Sequence, residues 1–309
     1  MIRTVCLNPC IDKTARIDSF TLDVVNRISD LRVDAGGKGI NVSKVIRELG
    51  GTSVAYALLA GDTGRNLERM VADAGIEVVS LYVEGETRTN LKVVDPEQHT
   101  NTDINEPGPL VSEADLDALL ARIVNDIEPG DTVVLAGSVP KGAPVDIYAT
   151  WIKACKEAGA KVYLDADGAV FDAAIPAGPT MVKPNDHELS GLVGRTLTDL
   201  NEIDAAAREI MDRGVEWVTV SMGGAGALFV TPEKSLRAIS PKVKVGSTVG
   251  AGDSVVAAIA YANDSGMSLE DTIRLSMATG SANVMQSGTQ AAPRELIDTL
   301  IDKVGIEDL

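Results

Sequence analysis

The stretch DTVVLAGSVPKGAPVDIYATWIKACKEAGAKVYLDAD, residues 131–167, decides the fold. Two apolar runs, DTVVLAG and KVYLDAD, flank a helical pattern, VDIYATWIKACKEAG, that Gly159 closes. A strand, a helix and a second strand in that order make a right-handed βαβ unit, whose two strands lie parallel in one sheet. The same alternation extends in both directions. Upstream, SVAYALLA (53–60) precedes GRNLERMVADAG (64–75). Downstream, EIDAAAREIMDRG (202–214) precedes WVTVSMGG (217–224), and Gly75 and Gly214 close these helices. The class is therefore α/β, with a mostly parallel central sheet flanked by helices.

Two regions break the rhythm, near residues 10–34 and 86–106. There TARIDSF, VNRISDLRV, TRTNLKVVD and HTNTDIN alternate polar and apolar residues. Half-buried antiparallel strands read this way, and a small β-strand lid over the carboxyl edge of the sheet follows. The last 60 or so residues read as three helices with small-residue faces. No linker or repeat divides the 309 residues, so one domain over 1–309 carrying the lid is expected.

Composition narrows the partners. A formal net charge of −17 repels phosphate backbones and anionic lipid, which argues against nucleic-acid and membrane binding. No apolar run approaches the roughly 18–20 residues of a membrane span, and MIRTVCL lacks the pattern of a secretory leader, so a cytoplasmic protein is expected. Cys6, Cys10 and Cys155 form no CxxC pair and have no histidine at ligand spacing, which suggests neither zinc nor disulfides. With only His99 and His187 present, acid–base chemistry falls to carboxylates or lysines.

Three glycine-rich stretches could bring backbone amides to a ligand: AGGKGIN (35–41), SMGGAGA (221–227) and STVGAGDS (247–254). None is a P-loop, and GKGINV lacks the third glycine of a dinucleotide fingerprint. In the last, Gly250, Ala251 and Gly252 lead into an apolar helix with Asp253 in its first turn. Free amides at a helix start bind anions, and a carboxylate there is either a base beside an anion or a simple cap.

AGGKGINVSKV and STVGAGDS, in that order and about 210 residues apart, resemble the two signatures of the PfkB carbohydrate kinases, which have the ribokinase-like fold. The resemblance implies an ATP-dependent kinase with Asp253 as catalytic base and the amides of Gly250 to Asp253 as the anion site. It assigns Asp12, the aspartate that follows Asn8-Pro9 on the lid, to sugar hydroxyls, with Gly36, Gly37 and Asn41 beside it. It further implies a phosphosugar substrate, because Lys38, Arg88 and Ser138 of AGSVPKG match the cations and serine that hold a substrate phosphate in one branch of the family; Arg27 is added as a cation made conspicuous by the acidic composition. Bidentate phosphate contact suits the fork of Arg88. In MVKPNDHELSGLVG (181–194), Asn185 and Glu188 resemble the motif that organises Mg2+ through water, although a capping box reads the same. Lys183 is then placed on the nucleotide phosphates, Ser221, Gly223 and Gly226 in the nucleotide pocket, and Asn283 on its adenine side. A homodimer through the lid is the family's habit. A sugar-phosphate sensor without turnover is the rival from another class, which would have no use for a base beside an anion hole.

Overall fold

A computed structural model describes residues 1–309. The chain begins β1 (Ile2–Cys6), β2 (Cys10–Arg16), β3 (Asp30–Gly36), α1 (Lys38–Glu48), β4 (Ser53–Ala60), α2 (Gly61–Asp73) and β5 (Glu77–Val83). Next come β6 (Arg88–Asp95), β7 (Thr100–Ile104), α3 (Glu113–Asp126), β8 (Thr132–Ala136), α4 (Ile147–Glu157), β9 (Lys161–Asp165) and α5 (Gly168–Ala174). It continues with β10 (Met181–Val182), α6 (Asp186–Val193), α7 (Leu200–Asp212), β11 (Trp217–Ser221), β12 (Ala227–Val230) and β13 (Ser235–Ile239). The end is α8 (Ala251–Asp264), α9 (Leu269–Asn283), α10 (Arg294–Ile301) and β14 (Gly305–Asp308).

Ten strands form the main sheet in the order β14-β13-β12-β11-β10-β9-β8-β1-β4-β5. The run from β11 to β5 is parallel, and β12, β13 and β14 add an antiparallel edge. Every residue of β1, β4 and β8 is buried, as expected of parallel strands covered on both faces. In β4, Val54, Tyr56 and Leu58 face the core shared with Leu116 of α3 and Trp151 of α4. Ala55, Ala57 and Leu59 point the other way, toward Ile40 of α1 and Leu67 of α2. On that second face α8 and α9 pack closely, and a Cβ added at Gly280 would lie 3.0 Å from Val255. The β14 edge strand has no counterpart in the sequence reading, which ends on helices.

The chain runs from β1 outward to β4 and β5, then returns to lay β8 on the other side of β1. That reversal opens a crevice beyond the carboxyl ends of β1 and β8, where open α/β sheets bind ligands. Over the crevice stands a second sheet, ordered β3-β2-β6-β7, which is the lid. Its strands occupy parts of the two expected segments, and residues 18–29 between β2 and β3 form an irregular exposed connection.

Candidate active site

The base of the site is the start of α8. Gly250 is its N-cap, in the left-handed region at φ 79°, and no side chain caps the helix. Asp253, although in the first turn, therefore does not serve as a cap. The amides of Gly252 and Asp253 have no backbone acceptor, which leaves them directed at the crevice with the positive end of the helix dipole. Asp253 is buried, and its Oδ2 accepts a hydrogen bond of 2.8 Å from Asn41 Nδ2. Burial pushes its carboxyl up to about 6, reinforced by the negative charge of Asp165 and opposed by Lys38, Asn41 and Lys183.

Two cavities meet at this turn. The first, about 380 Å³, is lined by 22 residues of which only three are hydrophobic, so it suits a strongly polar ligand. Gly250 and Asp253 form part of its floor, with Lys38 and Asn41 from α1, Ser138 from the loop after β8, and Asp12 and Arg88 from the lid. The second, about 510 Å³, is more apolar and is lined by Ala251 and Gly252 together with Asn185, Ser221, Gly223 and Gly226. Successive residues of one helical turn thus face different cavities.

Lid geometry follows from strand register. Cys10 pairs with Arg88, Asp12 with Asn90 and Thr14 with Lys92 across β2 and β6, and all six line the first cavity. Asn90 Nδ2 and the Cys10 thiol each donate to Asp12 Oδ1 at 3.1 Å, fixing that carboxylate. Lys92 pairs with Asp103 of β7 at 3.5 Å. Arg88 is held by backbone carbonyls, its Nε donating to Asn8 O at 3.1 Å and its Nη1 to Glu106 O at 3.5 Å, with no carboxylate partner. It is an uncompensated cation facing the cavity.

A buried charge cluster lies under the floor. Asp165, at the end of β9, is 3.3 Å from Lys38 Nζ and 3.7 Å from Lys183 Nζ. Burial alone would raise the Asp165 carboxyl, but Lys183 and Lys38 outweigh it and hold it below the ordinary aspartate value. Asp165 in turn raises Lys38 well above the usual lysine range. Lys183 reaches the α8 turn, since a Cβ at Gly252 would lie 2.9 Å from its Nζ.

Arg27 and Asn283 lie elsewhere than expected, and the glycines of GGKG and the Asn185–Glu188 pair have a structural role besides the expected one. Arg27 lies on the exposed connection between β2 and β3, outside both cavities, because residues 18–29 loop away from the lid strands. Gly37 lines the first cavity and Gly36 does not, and both glycines also make room for protein atoms: a Cβ at Gly36 would sit 2.1 Å from Asp12 Oδ2, and one at Gly37, where φ is 103°, would sit 2.6 Å from Cys6 Sγ. Asn283 does not line the second cavity; its Nδ2 donates to Val249 O at 3.1 Å and braces the turn from beneath. Asn185 and Glu188 form a complete capping box for α6, in which Asn185 Oδ1 accepts from Glu188 N at 2.7 Å and Glu188 Oε2 from Asn185 N at 2.8 Å, while Asn185 also lines the second cavity. Asn90, Lys92 and Asp165 were not singled out from sequence. The first two continue the two-residue period of Arg88 along β6, a signal that was available; Asp165 ends a strand and carried no motif.

A family model described as pfkB family carbohydrate kinase matches residues 5–296. The 1-phosphofructokinase of Rhodobacter capsulatus is 38% identical over 309 residues, spanning 100% of this chain and 98% of that protein. A tagatose-6-phosphate kinase of Staphylococcus epidermidis is 32% identical, with 99% of each covered. Among solved structures, phosphofructokinase-2 from Escherichia coli in complex with fructose-6-phosphate superposes with a TM-score of 0.92 at 31% identity, covering 98% of both chains.

Proposed function

This chain belongs to the pfkB family of carbohydrate kinases and is an ATP-dependent sugar kinase, and from that premise we propose that its substrate is fructose 1-phosphate, converted to fructose 1,6-bisphosphate. Arg88 carries the substrate reading. A guanidinium with no carboxylate partner, facing a polar cavity in a chain of net charge −17, is best satisfied by an anionic group on the ligand. Lys38 and Ser138 line the same cavity and can share that phosphate, while Asp12 accepts hydrogen bonds from the sugar hydroxyls.

In the proposed reaction Asp253 takes the proton of the sugar's primary hydroxyl as its oxygen attacks the γ-phosphorus of ATP, and ADP leaves. A carboxyl near 6 is largely ionised at neutral pH and basic enough to share a proton in the transition state. The free amides of Gly252 and Asp253, with Lys183 behind them, meet the charge on the transferring group; phosphoryl transfer relies mainly on such positioning and electrostatics. The second cavity then receives the nucleotide, its glycines at 223 and 226 permitting close backbone approach.

No group of three or more His, Cys, Asp or Glu side chains could hold a metal ion, which fits magnesium that arrives on the nucleotide phosphates with its waters. Glu188 Oε1, free of the capping box, is the carboxylate oxygen available to such a water. Magnesium would neutralise phosphate charge. No helix is long and apolar enough to cross a membrane, and a cytoplasmic location accompanies the proposal. We also propose a homodimer through the lid, whose outer residues Leu31, Val33 and Ile104 are exposed apolar side chains in want of a cover.

Release of ADP from Mg-ATP, measured with fructose 1-phosphate, fructose 6-phosphate and tagatose 6-phosphate in parallel, tests the reading. The highest kcat/KM is expected for fructose 1-phosphate. Preference for tagatose 6-phosphate would give the chain the specificity named for its 32% identical relative and retain Asp253 as base; no turnover with any of them would leave a binder.

A further inference from the structure

Helix α1 presents polar side chains at 38, 41 and 44, three residues apart and so along one face. Lys38 pairs with Asp165 and Asn41 holds Asp253, as described. Lys44 has no carboxylate partner. Its Nζ donates to two backbone carbonyls, Ala35 O at 2.8 Å and Thr289 O at 2.9 Å.

Those carbonyls belong to different parts of the site. Ala35 is the penultimate residue of β3, the last lid strand before the Gly36–Gly37 turn. Thr289 follows α9 on a segment that touches the lid as well, since a Cβ at Gly288 would lie 3.3 Å from Thr14 Oγ1 and 3.5 Å from Asp34 Oδ2. Both Gly288 and Thr289 line the sugar cavity. The same segment fixes the approach to the anion turn: Val284 O accepts the amides of Gly246 and Ser247, and the preceding Asn283 holds Val249 O. Hydrogen bonds at both ends of the 283–289 backbone therefore connect the lid root, through one ammonium, to the residues just before Gly250.

We propose that Lys44 is a positioning residue that locks the lid root to the anion turn, so that the phosphosugar and the α8 amides are held in register. Lys44 is half-buried, and holding an ammonium there against carbonyls alone is costly: desolvation lowers its pKa despite Asp34, Asp12 and Asp253 nearby. A packing role would be filled better by Met or Leu. What an ammonium provides, and an apolar side chain of the same length does not, is two directed donors reaching two segments at once.

The proposal rests on the kinase reading, and two measurements separate their failures. Lys44→Met keeps the volume and removes the donors; Lys44→Arg keeps charge and donors. For Lys44→Met, kcat/KM toward the phosphosugar is expected to fall about ten-fold or more, from two lost hydrogen bonds that leave buried carbonyls unpaired, with KM for ATP within about two-fold and partial recovery in Lys44→Arg. Unchanged kinetics with a lowered melting temperature would overturn the proposal and make Lys44 merely structural, as would equal losses toward ATP and phosphosugar. Hydrogen exchange on the substrate-free proteins does not depend on which sugar is used. Lys44→Met should speed exchange together in residues 30–36, 284–290 and 245–250; faster exchange within α1 alone would overturn the coupling even if none of the phosphosugars were turned over.

Discussion

Replacing Asp253 by Asn should slow turnover and make the protein more stable, and the second effect follows from the raised carboxyl. Its carboxyl stands at about 6 in the folded chain against an ordinary 3.8, because burial and Asp165 oppose ionisation more than Lys38, Asn41 and Lys183 favour it. A folded-state value above the unfolded one means that the folded protein binds the proton more tightly, so stability is lost as pH rises from about 4 through about 6. The difference, 6 less 3.8, is about two units, or roughly 3 kcal/mol at 1.36 kcal/mol per unit. Asn resembles the neutral carboxyl and avoids that cost. At pH 8, Asp253→Asn is expected to exceed the parent by up to about 3 kcal/mol in denaturant unfolding, and the gap should close toward pH 4. Turnover should fall by about 10² to 10⁴, the usual contribution of a general base, and the parent's kcat/KM should decline below pH 6 with a slope the variant lacks. Equal stability at pH 8, or a parent rate flat from pH 5 to 8, would refute the strained-base account. A variant that turned over at near the parent rate would remove Asp253 from the chemistry altogether.

Arg88→Ala should weaken the phosphosugar about ten-fold or more, from the loss of charge-assisted hydrogen bonds at roughly 1.5 to 3 kcal/mol, and spare ATP; separate KM values decide this, and an equal loss for ATP would put Arg88 in the other subsite. Burial is the main cause of the raised Asp253 carboxyl and Asp165 adds to it, so Asp165→Asn should move the acid limb of the pH–rate profile below 6; a limb that stays in place would mean burial alone sets it. Asn283→Ala releases Val249 O, and the expected result is a fall in kcat with unchanged preference among nucleotides. Altered discrimination between ATP and GTP would return Asn283 to the base-binding side.

The sequence made the sheet readable because burial on both faces leaves no alternative pattern in runs such as SVAYALLA, and the lid readable because its strands keep one polar face. Asp12, Lys38, Arg88 and Asp253 were found through motifs, and they do line one cavity. What escaped was what depends on chain reversal. Nothing local in KVYLDAD says that Asp165 will stand between Lys38 and Lys183, which are 127 and 18 residues away along the chain. The glycines of GGKG also clear space for protein atoms, Gly36 for Asp12 and the cavity-lining Gly37 for Cys6, which no local pattern announces. Arg27 was chosen for its charge, which a loop does not aim. NxxE describes a cap and a metal-water ligand equally well, and the folded chain makes the cap in full.

The lid supplies one wall of the first cavity through Asp12, Arg88, Asn90 and Lys92, whereas the proposed base and anion turn belong to the other body of the fold. A water molecule beside Asp253 would be as easily deprotonated as a sugar hydroxyl, and ATP would then be hydrolysed to no purpose. The residues that activate the acceptor cannot tell the two apart. On the proposed mechanism, fidelity to the sugar over water therefore depends in part on strands remote in sequence from the base, and wasteful hydrolysis is the property that damage to those strands should expose first.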